Sequence, residues 1–170
     1  MPKKIKRLTI VIERLSNSQH VLVNGCIDET VGSELDGVAS HIDSPVTFNL
    51  RHVEQLNSAG IRVWCSMIRR ITGKVTVTYE ECSQTFVYHL SLTPFLSAGV
   101  TLTSGYLPFF CDKCGDEVPV LIRLRHDLAE QTEGRPCPKC KSALQLHGEA
   151  TRFLLFKLKG GSTPPDAGRL

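Results

Sequence analysis

Apolar residues follow two periods along the first hundred positions, and the switches between them outline the chain. Residues 8–12 are Leu8, Thr9, Ile10, Val11 and Ile12, a β-branched run that predicts a first strand. Ser16, Asn17 and Ser18 predict a turn, and residues 19–23 a second strand, so the pair reads as a hairpin. Val31, Leu35, Val38 and Ala39 then recur at helical spacing over residues 31–42, with Asp28, Thr30 or Ser33 as caps. Asp43, Ser44 and Pro45 break the run, and residues 46–50 return to a strand pattern. Ile61, Trp64, Cys65 and Ile68 next recur at i, i+3, i+4 and i+7. Val63, Met67 and Ile71 widen that stripe, and Arg62, Ser66, Arg69 and Arg70 form the opposite face. Gly73 stops this helix, residues 75–79 alternate as a fourth strand, and residues 83–92 predict a third helix with Phe86, Val87 and Leu90 inward. Thr93 and Pro94 end it, and residues 100–102 form a short last strand. The order β-β-α-β-α-β-α-β predicts an α/β fold: a mixed sheet with helices packed on one face.

After Ser104 the pattern changes. Strand-like segments at 107–110, 118–124, 143–146 and 152–158 alternate with turns, and two CxxC pairs sit among them. They are Cys111-Asp112-Lys113-Cys114 and Cys137-Pro138-Lys139-Cys140, with 22 residues between Cys114 and Cys137. Two such turns can bring four thiolates onto one tetrahedral Zn²⁺. Gly115 suits the left-handed position that follows the second ligand of a knuckle. Four cysteines close the coordination shell, so the ion is expected to be structural. A module of about 55 residues has little core of its own, and metal binding adds folding energy directly. The expected organisation is residues 1–104 as one domain, 105–158 as a small, mostly β zinc ribbon, and 159–170 as a disordered tail rich in Gly and Pro.

Composition removes several alternatives. The net charge is only +3, and neither half carries the basic excess of a nucleic-acid-binding domain. Lys3, Lys4, Lys6 and Arg7 form the one basic cluster, which reads as a solvated tail. No apolar run is long enough to predict a membrane span, and the first residues lack the pattern of a secretory signal, so a cytoplasmic location is expected. In a reducing compartment seven cysteines point to metal rather than to disulfides. Cys26 and Cys65 read as small core residues. The six histidines are scattered, and no nucleophile–base set or phosphate-cradling loop is visible, so catalysis is not expected.

The most informative stretch is Leu56-Asn57-Ser58-Ala59-Gly60-Ile61, between the third strand and the second helix. Asn57 or Ser58 can cap the helix, and on local grounds Ser58 reads as a plain cap. The stretch resembles the signature of STAS domains, the fold of bacterial anti-sigma-factor antagonists: a strand, then Asp-Ser-Ser/Ala-Gly-Leu/Ile, then a helix. Gly25-Cys26-Ile27-Asp28, after the second strand, resembles a second mark of that family, Gly-x-Leu-Asp. The resemblance covers about residues 5–103. Asn57 stands where the family has Asp, Ala59 where Ser is frequent, and Asn49 where many members have Asp.

The resemblance implies a non-catalytic regulatory module that binds a protein partner, such as a kinase-like anti-sigma factor. Phosphorylation would fall on Ser58. The implied partner surface is Asp28, Asn57, Ser58, Ala59, Gly60 and Arg62. The changes at Asn57 and Ala59 also fit a constitutive adaptor subunit of a stress-sensing or lipid-transport assembly, with no phospho-switch. Nucleic-acid binding through the ribbon is the third reading, and the near-balanced charge argues against it.

Overall fold

The computed structural model describes residues 7–124 and 128–146. The first sheet has five strands in the order β1-β2-β3-β4-β5. These are β1 (Thr9–Arg14), β2 (Gln19–Ile27), β3 (Val46–Leu56), β4 (Val77–Glu80) and β5 (Val100–Leu102). β1 and β2 are antiparallel, and the remaining pairs are parallel. Each parallel step is bridged by a helix: α1 (Gly32–His41), α2 (Ser58–Thr72) and α3 (Gln84–Leu92). This is the mixed α/β order that the hydrophobic periods predict, and the order implied by the STAS resemblance.

The helices cover one face. Along β3, Val46, Phe48 and Leu50 are buried while Thr47 and Asn49 are half-exposed, as period-2 alternation requires. The covered face centres on four aromatic rings. Phe48 meets Trp64 edge-on at 5.6 Å, Trp64 meets Phe86 at 5.8 Å, and Tyr79 meets Phe86 at 5.5 Å. Trp64 Nε1 donates to Tyr79 Oη at 2.9 Å, which satisfies both buried polar atoms. Burial holds the Tyr79 phenol well above its ordinary range, so it stays neutral.

Some boundaries differ from expectation. β3 continues to Leu56, past the expected end at Leu50. Residues 51–56 keep pairing with β2 through Val53–Gly25 and Leu56–Ile27, with register shifts between Leu22 and Asn24 and between Gly25 and Cys26; Gly25 has φ 102°. A single 3₁₀ turn, Glu29–Val31, precedes α1, and Asp28 caps that turn rather than the helix.

The second sheet has the order β7-β6-β8, with β6 (Ser104–Cys111), β7 (Asp116–Arg123) and β8 (Gln145–Leu146). Both pairings are antiparallel, and a short α4 (Leu128–Thr132) follows β7. The expected strand over 152–158 and the expected tail over 159–170 lie outside the described residues. β6 is tied to the first sheet by backbone bonds: Cys82 N donates to Ser104 O (3.2 Å), and Tyr106 N to Cys82 O (2.7 Å). Arg51 on β3 stacks over the Tyr106 ring at 5.5 Å. Leu107 and Phe109 are fully buried, in one cluster with the first core. Gly105 lies against Val87 of α3, where an added Cβ would sit 3.0 Å from a methyl carbon.

Candidate functional site

Two sites follow from the sequence motifs, one at each end of the molecule's chemistry. The first is a cysteine cluster. Cys111 closes β6, and the chain turns through Lys113 and Cys114 into β7. Gly115 N donates to Cys111 O at 2.8 Å, and Gly115 takes the left-handed backbone (φ 69°) that its lack of Cβ permits. The second knuckle repeats this geometry. Lys141 N donates to Cys137 O at 3.0 Å, with Lys141 at φ 65°. A lysine occupies here the conformation that glycine fills in the first knuckle. Pro136 and Ala143 bridge the base of the second loop.

These turns bring Cys111, Cys114, Cys137 and Cys140 together, with all four sulfurs within 4.8 Å of one another. Ligands about 2.3 Å from a tetrahedral Zn²⁺ lie about 3.8 Å apart. Two of the sulfur pairs, at 3.4 Å and 4.0 Å, bracket that value. The donor set therefore fits one metal ion. The Ser142 hydroxyl, then its N–H, holds the Cys140 thiol down to about 6, while hydrogen bonding to Cys140 pushes Cys114 up to about 12. Backbone N–H groups of Cys114 and Lys113 are directed at the Cys111 sulfur. Lys113, Lys139 and Lys141, within the two knuckles, are exposed, and Lys139 pairs with Asp116 at 2.8 Å. Four sulfurs on one tetrahedral ion would leave no open position.

The second site lies where the Gly25–Asp28 motif meets the start of α2. Asn57 is the N-cap: its Oδ1 accepts from Gly60 N at 2.7 Å. Ser58 is the first helical residue and is exposed. The first bond along the helix runs from Ile61 N to Asn57 O (2.8 Å). Gly60 explains why the two motifs travel together. Its Cα lies so close to the end of β2 that an added Cβ would sit 2.0 Å from Ile27 O. Asn57 N also donates to that oxygen, at 3.3 Å.

Of the expected surface residues, Asn57, Ser58 and Arg62 are exposed, Asp28 and Ala59 are half-buried, and Gly60 is buried. Asp28 accepts from the Thr30 hydroxyl at 2.6 Å and from Thr30 N at 2.9 Å, which lowers its pKa. Glu29 is the residue that sequence reasoning missed. Asn57 Nδ2 donates to Glu29 Oε2 at 3.0 Å, and that bond is the main cause of a lowered Glu29 pKa. The only hint in the sequence is a second acidic residue directly after Asp28.

Of the other cysteines, Cys26, Cys65 and Cys82 are buried, in keeping with packing roles. Burial raises the thiols of Cys65 and Cys82. At the junction of the two sheets Phe109 is fully buried and Phe110 is half-buried. No helix among the described residues is long and apolar enough to cross a membrane.

No family model matches the chain, and no curated protein matches it. Among solved structures, the chain is similar to the anti-sigma factor antagonist SpoIIAA in its unphosphorylated form. The identity is 10%, the match covers 55% of this chain and 87% of that one, and the TM-score is 0.42. The architecture given above rests on strand order, register and burial in this chain itself.

Proposed function

We propose that the chain is a regulatory protein-binding module whose docking surface surrounds the start of α2, and that phosphorylation of Ser58 switches docking off. The observation that carries this reading is an exposed serine at the first position of a helix of 15 residues. Its neighbours on that surface are Asn57, Ala59 and Arg62, with Asp28 beside them. The amides of Ser58 and Ala59 precede the first intrahelical bond, so a phosphate on Ser58 meets N–H donors and the positive end of the helix dipole. The modification adds about −1.5 to −2 charges to a surface that carries little net charge. A partner that buries this surface then faces desolvation and repulsion, enough to lower affinity by orders of magnitude. The partner class is a kinase-like anti-sigma factor, as the STAS resemblance implies, and the chain acts by binding rather than by catalysis.

A constitutive adaptor is the second reading. The hydrogen bond from Asn57 to Glu29 favours it, because it places a carboxylate where a phosphate would approach. Under both readings residues 1–104 form the docking unit. Residues 105–158 form a ribbon that carries one structural Zn²⁺ on Cys111, Cys114, Cys137 and Cys140.

Affinity capture from the native lysate with wild type, Ser58→Ala and Ser58→Asp separates the two. The switch predicts a kinase-like partner with wild type and Ser58→Ala, and its loss with Ser58→Asp. Equal recovery of the same complex by all three refutes the switch and leaves the adaptor.

A further inference from the structure

The four sulfurs of the metal centre are not equivalent. Cys111 and Cys137, the first cysteine of each knuckle, are buried; Cys114 and Cys140, the second of each, are half-buried. Two approaches run between the knuckles, Cys111 Sγ to Cys140 Sγ at 3.4 Å and Cys114 Sγ to Cys137 Sγ at 4.0 Å, within a cluster whose sulfurs all lie within 4.8 Å of one another. Each of these pairs thus joins a half-buried cysteine with a buried one.

We propose that the centre is a thiol redox switch whose oxidised form carries two cross-knuckle disulfides, Cys111–Cys140 and Cys114–Cys137. This rests on the four-cysteine metal reading given above. The oxidant is hydrogen peroxide, small enough to approach the half-buried cysteines. The Cys140 thiolate attacks a peroxide oxygen: an S–O bond forms, the O–O bond breaks, and the departing hydroxide takes a proton and leaves as water. The Cys111 thiolate then attacks the sulfenic sulfur: the S–S bond forms, the S–O bond breaks, and a second hydroxide leaves as water after taking a proton. Cys114 and Cys137 react in the same way. Each pair gives two electrons to one peroxide. The whole reaction consumes two peroxides and four protons and yields two disulfides and four waters. Disulfide sulfurs carry no charge and do not hold a divalent cation, so oxidation releases the metal. Two equivalents of a dithiol reduce both disulfides to thiols by exchange and become disulfides themselves.

The pairing decides the structural consequence. A disulfide within one CxxC turn closes only that turn. A disulfide between knuckles joins the end of β6 to the 137–140 loop, the connection otherwise made through the metal. The oxidised ribbon therefore stays closed without metal, and only the reduced, metal-free ribbon opens.

The test uses full-length wild type with metal content first measured by atomic emission. The protein is titrated with hydrogen peroxide, released metal is followed with a chromophoric chelator, and disulfides are mapped by mass spectrometry of non-reduced peptides. The expected result is one metal released per two peroxides, with peptides linked Cys111 to Cys140 and Cys114 to Cys137. Linkages within the knuckles, metal retained under peroxide, or oxidation to sulfinic acid without disulfides each overturn the proposal. Protein that never held metal overturns the metal reading instead. The variant Cys140→Ser should still form Cys114–Cys137; a Cys111–Cys114 product contradicts the pairing.

Discussion

The two sheets of this chain reach order by different means. The first places Phe48, Trp64, Tyr79 and Phe86 at full burial between five strands and three helices, and closes its buried polar atoms through the Trp64–Tyr79 bond. The second has three strands, one of them only two residues long, and its loops converge on four sulfurs. Burying apolar area is additive and tolerant, whereas a closed metal shell depends on every ligand. The first sheet should therefore lose stability in steps, and the cysteine end of the second all at once.

The largest effect expected in the first sheet comes from its aromatic centre. Phe48→Ala removes a ring with contacts to Trp64 and Tyr79 and should cost about 3–5 kcal/mol. Urea unfolding followed by fluorescence of Trp64, the one tryptophan in the chain, measures this. A loss below about 1 kcal/mol would mean that the ring cluster does not organise the core.

Gly60→Ala comes next. The added methyl meets the backbone carbonyl of Ile27, which has no rotamer by which to withdraw. A loss of about 1–3 kcal/mol is expected, with shifted amide resonances in both α2 and residues 25–28. A neutral outcome would show that the junction of the two motifs is looser than described.

Smaller still is Asn57→Ala, which removes the bonds to Gly60 N and to Glu29 and should cost about 0.5–2 kcal/mol. Ser58→Ala should stay within about 0.5 kcal/mol, because Ser58 is exposed and does not cap the helix. Paired thermal melts check both. A larger loss for Ser58→Ala than for Asn57→Ala would reverse the assignment of the cap.

The mildest perturbation is chemical. Cys65 and Cys82 are buried with raised thiols, so an aromatic disulfide reagent should modify them only as the native state opens. Fast labelling of Cys82 in native protein would show that the packing between β4, α3 and β6 is open.

Much of the first sheet was legible in the sequence, because its strands alternate and α2 carries a clean stripe from Ile61 to Ile71. The end of β3 was not. Arg51, His52, Glu54 and Gln55 hide the strand, which is fixed by pairing with β2 and not by its own pattern. The convergence of Cys111, Cys114, Cys137 and Cys140 was legible from spacing alone, since a CxxC turn is a local geometry. The Asn57–Glu29 bond was not legible, because its partners lie 28 residues apart and meet only when Gly60 seats on Ile27. Nor was the left-handed Lys141, a conformation imposed by the second knuckle on a residue with no preference for it.

The contrast between the two sheets is tested most directly by amide hydrogen exchange of the reduced, metal-loaded protein before and after addition of a strong chelator. Exchange should accelerate by several orders of magnitude in the two knuckles, residues 111–116 and 137–143. The amides of β2, β3 and α2 should keep their protection, and Trp64 fluorescence should not move. Protection lost together in both sheets would contradict the account: the metal would then hold a single cooperative unit, and the aromatic core would not stand without it.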